Sequence, residues 1–215
     1  MPVRILVADD HSLIRRGIRT LLSADPSLQV VAEACDGLEA VSLAEKHLPD
    51  IAVIDISMKA LNGIDTISRI VQRSPHTAVV VLSMFSDSRY VNRAVRAGAK
   101  AYVLKDSSDE DLLRAIQALH AGQTFFSPEV AKVVLDGFAR NLDSESNDDW
   151  HRVLTQRERE VYQMLAEGKT NRVIAEMLGV SIHTVETHRI RIMSKLNLHN
   201  MAELVLSAVR HGLVK

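Results

Sequence analysis

Four short apolar runs in the N-terminal half each end beside a polar residue able to do phosphate chemistry. Val3 to Ala8 is followed by Asp9 and Asp10, Ile51 to Ile54 by Asp55, Ala78 to Leu82 by Ser83, and Ala101 to Val103 leads through Leu104 to Lys105. Taken singly, an Asp in such a place is commonly a helix or turn cap, a Ser a turn residue, and a Lys solvated surface. Their recurrence after four separate runs points elsewhere. Three clustered carboxylates raise one another's pKa unless a cation joins them. Mg²⁺ suits such a set, because it takes one or two carboxylates and completes its octahedron with water and phosphate oxygens. Lys105 can hold an incoming phosphoryl group as a point charge, and the Ser83 hydroxyl can donate to one of its oxygens. Asp55 is then a candidate nucleophile that would form an aspartyl phosphate.

The elements that must position these groups are legible in the periodicity. Apolar runs of strand length alternate with helix-like segments, such as Ile64, Ile67, Ile70 and Val71, or Leu112, Leu113, Ile116 and Leu119. This predicts five βα units within residues 1–122, and hence a parallel sheet covered on both faces by right-handed crossovers. We expect a flavodoxin-like five-stranded sheet of order 2-1-3-4-5, with its switch point between the first and third strands. That order places Asp9, Asp10, Asp55, Ser83 and Lys105 at one end of the sheet, where open α/β folds bind ligands.

Residues 123–150 read as a linker with a partial helix. Pro128 to Phe138 can form the helix, and Asn141 to Asp149 is polar, acidic and almost free of apolar residues. From His151 to the end the punctuation is all helical. Thr155 and Glu158 have capping-box spacing, Gly168 stops a first helix, and Gly179 turns the chain between a second helix and a third capped by Ser181. Ala175, Gly179 and Val185 have the spacing of a helix-turn-helix: a small residue for close approach, a turn glycine, and a β-branched residue packing behind. The third helix carries Val185, Arg189, Ile192 and Leu196 on one side. Its other face holds His183, Thr187, Ile190, Arg191 and Ser194, flanked by Thr184, Glu186 and Lys195. In this motif that face lies in the major groove.

Composition limits the alternatives. The 215 residues are 47% hydrophobic and 25% charged, the balance of a globular protein. There is no apolar run long enough to span a membrane and no signal-peptide layout, and a single Cys35 fits a reducing cytoplasm. From His151 onward Lys and Arg outnumber Asp and Glu by 10 to 6, whereas before it they are outnumbered by 21 to 16. This asymmetry suits a C-terminal half that faces a polyanion. The nine histidines are scattered without the His-x-x-x-His spacing of a helical zinc pair, and read as surface or packing residues.

The set Asp9-Asp10, Asp55, Leu82-Ser83 and Gly98 to Lys105 resembles the receiver domain of bacterial response regulators. The resemblance implies Asp55 as phosphoacceptor, with Asp10 and Asp55 binding Mg²⁺ directly, Asp9 through water, and the Ser57 carbonyl completing the protein ligands. It implies that Ser83 and Lys105 bind the phosphoryl group, and that Tyr102 is the switch aromatic that moves with the hydroxyl residue. One departure is visible: Met58-Lys59 stands where the family usually has Met-Pro, although Gly63 is kept. Residues 151–215, through Leu154-Thr155-x-Arg157-Glu158, Ile174-Ala175 and Thr184 to His188, resemble the LuxR-type DNA-binding domain. Many relatives have a lysine at the position of Glu186.

Together the halves resemble the NarL/FixJ class. The resemblance implies a transcription regulator switched by phosphorylation of Asp55, with a sensor histidine kinase and double-stranded DNA as partners and a homodimer when phosphorylated. DNA contacts are expected from Thr184, Glu186, Thr187, Ile190, Arg191 and Lys195. In the family the final helix, here with apolar surface at Leu206, makes the dimer contact on DNA; the alternative is a core role alone. The rival class is an aspartyl-phosphate hydrolase. Such enzymes usually carry a second acid two residues after the nucleophile, where this chain has Ser57. The expectation is therefore a regulator whose only catalysis is its own phosphotransfer and dephosphorylation.

Overall fold

The computed structural model describes residues 1–107, 109–140 and 150–214, which fall into two compact units. In the first unit, strands β1 (Val3–Ala8), β2 (Leu28–Ala34), β3 (Ile51–Ile54), β4 (Ala78–Ser83), β5 (Ala101–Leu104) and β6 (Phe125–Phe126) alternate with helices. The helices are α1 (Ser12–Ser23), α2 (Gly37–His47), α3 (Gly63–Arg73), α4 (Ser88–Ala97), α5 (Asp109–His120) and α6 (Pro128–Arg140). The sheet is parallel throughout, in the order β2-β1-β3-β4-β5-β6. The first five strands follow the predicted order. The sixth departs from it: Phe125 and Phe126 pair with Ala101 and Tyr102, inside the segment read as linker. A strand of two residues is too short to show a period.

Burial explains why these runs are strands. All residues of β3 and β5 are buried, as are Val79 to Ser83 of β4, so these strands contact apolar side chains on both faces. A strict alternation of apolar and polar residues is absent for that reason; Ile5, Leu6 and Val7 of β1 are all fully covered. One core cluster joins Ile18 and Leu22 of α1 with Leu112, Ala115 and Ile116 of α5 across Val53, Val80 and Val103. Helix starts are fixed by side-chain caps at Asp36, Asn62 and Asp87, and α4 ends at Gly98 with φ 109°.

The second unit is helical: α7 (Trp150–Val153), α8 (Gln156–Ala166), α9 (Asn171–Leu178), α10 (Ile182–Lys195) and α11 (Met201–Arg210). Val161, Met164, Ile174, Val185, Ile192, Leu204 and Ala208 form its core. The predicted capping box is present, with Thr155 and Glu158 bonding reciprocally. Gly179 (φ 63°) turns the chain between α9 and α10, and Val180 donates back to the Ala175 carbonyl at 3.0 Å. No helix among the described residues is long and apolar enough to cross a membrane.

Gly63 shows how tightly the sheet edge is built. A Cβ there would lie 2.1 Å from the Asp55 carbonyl oxygen and 2.6 Å from the Ile56 Cα. Its amide also donates to the Ile56 carbonyl at 2.9 Å, so the loop cannot simply move away. Gly63→Ala should cost the first unit about 3 kcal/mol, because backbone must shift to relieve the contact. Urea unfolding measures this; a change below about 0.5 kcal/mol would mean that the loop yields freely.

Candidate functional site

The acidic pocket is assembled at the ends of four neighbouring strands, β1, β3, β4 and β5. β1 delivers Asp9 and Asp10 and β3 delivers Asp55, whose amide donates to the Ala8 carbonyl at 2.9 Å and so continues the β1–β3 pairing. Lys105 follows β5, its amide bonded to the Ser83 carbonyl at 2.9 Å. Asp9, Asp55 and Ser83 are buried. The Lys105 ammonium lies 2.6 Å from Asp9 Oδ2 and 3.0 Å from Asp55 Oδ2. The structure therefore brings Asp9, Asp55 and Lys105 into contact, and Asp10 joins them in a cluster that also includes His11, with one ligand atom from each acid and from His11 within 4.8 Å of the others.

Charge and burial compete in this cluster. Burial pushes the Asp55 carboxyl above its ordinary value; Lys105 and the Ser57 amide pull it down, while the nearby Asp9 charge adds to the rise. Burial likewise disfavours the Lys105 ammonium, but Asp55 and Asp9 overcome this and hold its pKa above the usual value. Three ionised carboxylates and one ammonium leave two negative charges, which one divalent cation would balance. The buried Oδ1 of Asp10 accepts no hydrogen bond among the described residues. The three carboxylates, with this Asp10 oxygen accepting no hydrogen bond among the described residues, offer the oxygen donors that Mg²⁺ takes.

Ser83 and Tyr102 are connected in a way the sequence did not reveal. The Phe85 amide donates to Ser83 Oγ at 3.2 Å, and the Tyr102 hydroxyl donates to the Phe85 carbonyl at 2.5 Å. One residue's backbone thus links the hydroxyl beside the pocket to a fully buried tyrosine, whose pKa burial drives upward. Phe85 also stacks on Tyr90 of α4, with centroids 4.4 Å apart. Ser57 is half-buried, and its amide donates to the Asp55 carboxylate.

On α10, Val185 and Ile192 enter the core, while Ile190 is 70% exposed and Glu186 and Arg191 face solvent. Thr184 and Thr187 are half-buried near the start of the helix; Thr184 exchanges a hydrogen bond with the Ser181 hydroxyl at 2.8 Å, and Thr187 donates to the His183 carbonyl at 3.0 Å. His188 lies on the covered side: burial lowers its pKa, and its buried Nδ1 has no hydrogen-bond partner among the described residues. Lys195 has a partner that sequence reasoning missed. Its ammonium lies 2.6 Å from Glu158 Oε2, the same buried carboxylate oxygen that accepts from the Thr155 amide at 2.7 Å. Burial alone would raise the Glu158 pKa, but Lys195 and Thr155 hold it below the ordinary value. This pair ties the start of α8 to the end of α10.

A doubly wound sheet with an acidic pocket at its carboxyl edge and a helix-turn-helix in the same chain define a two-component response regulator that binds DNA. Residues 5–117 match the family "Response regulator receiver domain", and residues 152–208 match "Bacterial regulatory proteins, luxR family". The chain belongs to the response regulators that join a receiver domain to a LuxR-type DNA-binding domain. It is 37% identical over 215 residues to the oxygen regulatory protein NreC of Staphylococcus carnosus, covering 99% of both chains. Among solved structures it resembles the response regulator ChrA of a heme-sensing two-component system, at 32% identity over 99% of both chains and a TM-score of 0.53. It also resembles RcsB, seen as two dimers bound to two parallel DNAs, at 25% identity, 97% and 98% coverage and a TM-score of 0.61.

The Glu158 pair sets an expectation for Lys195. Removing one partner of a buried ion pair commonly costs several kcal/mol, but Lys195 is about a third exposed and solvent screens part of that loss. Lys195→Ala should therefore destabilise the helical unit by about 1–2 kcal/mol, while Arg191→Ala should change it by less than about 0.5 kcal/mol. Chemical denaturation of the two variants compares them directly. Equal stabilities would show that Lys195 has no structural share.

Proposed function

We propose that Asp55 is the phosphoacceptor and that its phosphorylation switches DNA binding by the helix-turn-helix. The observation that carries this reading is the position of Asp55: buried at the sheet edge, within reach of Lys105 and between strands that deliver Asp9, Asp10 and Ser83. In the reaction, an Asp55 carboxylate oxygen forms a bond to phosphorus as the bond to the donor's histidine nitrogen breaks. The donor is the phosphohistidine of a sensor kinase. Lys105 pairs with the incoming phosphoryl oxygens, a role that draws it from Asp9, and the Ser83 hydroxyl donates to another of those oxygens.

Asp10, Asp55 and the Ser57 carbonyl are the groups that would hold Mg²⁺ directly, with Asp9 acting through water. When bound, the ion neutralises the carboxylates and the phosphoryl oxygens. As Ser83 turns towards the phosphate, the Phe85 backbone transmits its position to Tyr102, which serves as the switch aromatic. Catalysis goes no further than phosphotransfer to Asp55 and loss of that phosphate.

In this reading residues 1–122 form the receiver, 123–150 connect, and 151–215 bind DNA. The phosphorylated protein is a homodimer, because two recognition helices must meet two half-sites roughly 34 Å apart or a multiple of it. RcsB dimers on DNA support that arrangement. The exposed face of α10 supplies the contacts: Arg191 to phosphate or a guanine edge, Thr184 and Thr187 to phosphate or bases, and Glu186 to a cytosine amine. Ile190, apolar and 70% exposed, suits a thymine methyl group. Lys195 reaches a phosphate only by sharing its charge between Glu158 and DNA. A regulator that meets both a kinase and the chromosome works in the cytoplasm.

Incubation with a small acyl phosphate and Mg²⁺ should add one phosphoryl group to the wild type and none to Asp55→Asn, as read by intact-mass spectrometry. Equal uptake by both proteins would remove Asp55 as the acceptor.

A further inference from the structure

The acidic pocket has two sides, and a different cationic or coordinating group faces each. Lys105 takes Oδ2 of Asp9 and Oδ2 of Asp55. On the other side, His11 Nδ1 lies 2.7 Å from Asp10 Oδ1 and 3.3 Å from Asp9 Oδ1. Its ring nitrogen belongs to the same group of converging ligand atoms as the three carboxylates.

His11 stands at the N-cap of α1, a position where Ser, Thr, Asp and Asn are favoured because their oxygens accept from the first helical amides. The histidine side chain makes no capping bond. Its backbone amide instead donates to Asp9 Oδ1 at 2.8 Å, which fixes the residue against the pocket and leaves the ring facing the carboxylates. The oxygen it approaches most closely is Asp10 Oδ1, the atom left without a hydrogen bond.

Resting on the reading that this pocket holds a divalent cation, we propose that His11 Nδ1 is a further protein ligand and biases the site towards divalent transition-metal ions. The chemistry follows from ligand type. Mg²⁺ is hard, prefers oxygen and keeps its waters, so an imidazole adds little to its binding. Neutral imidazole binds first-row transition ions well, with affinity rising from Mn²⁺ to Co²⁺ along the series. An ion placed among Asp9, Asp10 and Asp55 would meet the Nδ1 lone pair in place of the contact that Nδ1 now makes with Asp10.

Calorimetric titration of the full-length protein with MgCl₂, MnCl₂ and CoCl₂, for wild type, His11→Ala and His11→Gln, tests the assignment. Pulsed electron paramagnetic resonance of the Mn²⁺-loaded proteins adds a readout that a merely structural role would not move. Both variants should bind Mg²⁺ within about threefold of wild type but lose about tenfold or more in affinity for Mn²⁺ and Co²⁺. Wild type should show ¹⁴N modulation from a directly bound imidazole, absent in both variants. Equal losses for all three ions, no loss for any, or no ¹⁴N modulation in wild type would overturn the role of His11 while leaving the pocket a Mg²⁺ site. If Asp10→Ala binds Mn²⁺ as tightly as wild type does, the pocket is not the metal site and the proposal falls with it.

Discussion

Parallel strands deliver their carboxyl ends to one edge, and three carboxylates gathered there are tolerable only while cations hold them. Two unit charges 4 Å apart interact by about 4 kcal/mol at the effective dielectric of a protein surface. Repulsion on that scale would open the edge of the sheet without Lys105, whose ammonium touches both Asp9 and Asp55. The order β2-β1-β3-β4-β5 is what brings that lysine, 50 residues beyond Asp55 in the sequence, to the far side of the pocket. The fold is thus arranged to hold a net negative charge that a divalent cation can balance.

Two chains of contacts run outward from that pocket. One runs through the Phe85 backbone, which bonds Ser83 on one side and Tyr102 on the other. The second is the sixth strand: Phe126 pairs with Tyr102, and the segment beyond it enters α6. The hydroxyl residue is thus joined to the last strand of the sheet through few bonds. In the helical unit the corresponding anchor is Glu158, which caps α8 and holds Lys195 at the end of α10. Both anchors place a charged or polar group where two elements meet.

Most of this was legible in the sequence because it follows local pattern. Buried strands, helix caps and the glycines at 98 and 179 are written in runs of a few residues, and the resemblance to receiver and LuxR-type domains rests on such runs. The rest depends on partners distant in sequence. The capping box at Thr155 and Glu158 was readable, but nothing local says that Glu158 also binds a lysine 37 residues away. The Ser83–Phe85–Tyr102 link joins a side chain to a backbone and leaves no periodic signal. The strand at Phe125–Phe126 was hidden by its length. His11 was grouped with scattered surface histidines, although its place directly after Asp9 and Asp10 was the available clue; the structure sets it in the carboxylate cluster.

One causal step, from phosphate at Asp55 to DNA held by α10, underlies the proposed function. Its most direct test is the affinity of the full-length protein, at fixed salt, for a labelled duplex selected from a random pool, with and without an acyl phosphate donor. Phosphorylation should tighten wild-type binding by about tenfold or more, equivalent to about 1.4 kcal/mol, and should leave Asp55→Asn unchanged. Equal affinity of the phosphorylated and unphosphorylated wild type would contradict that step.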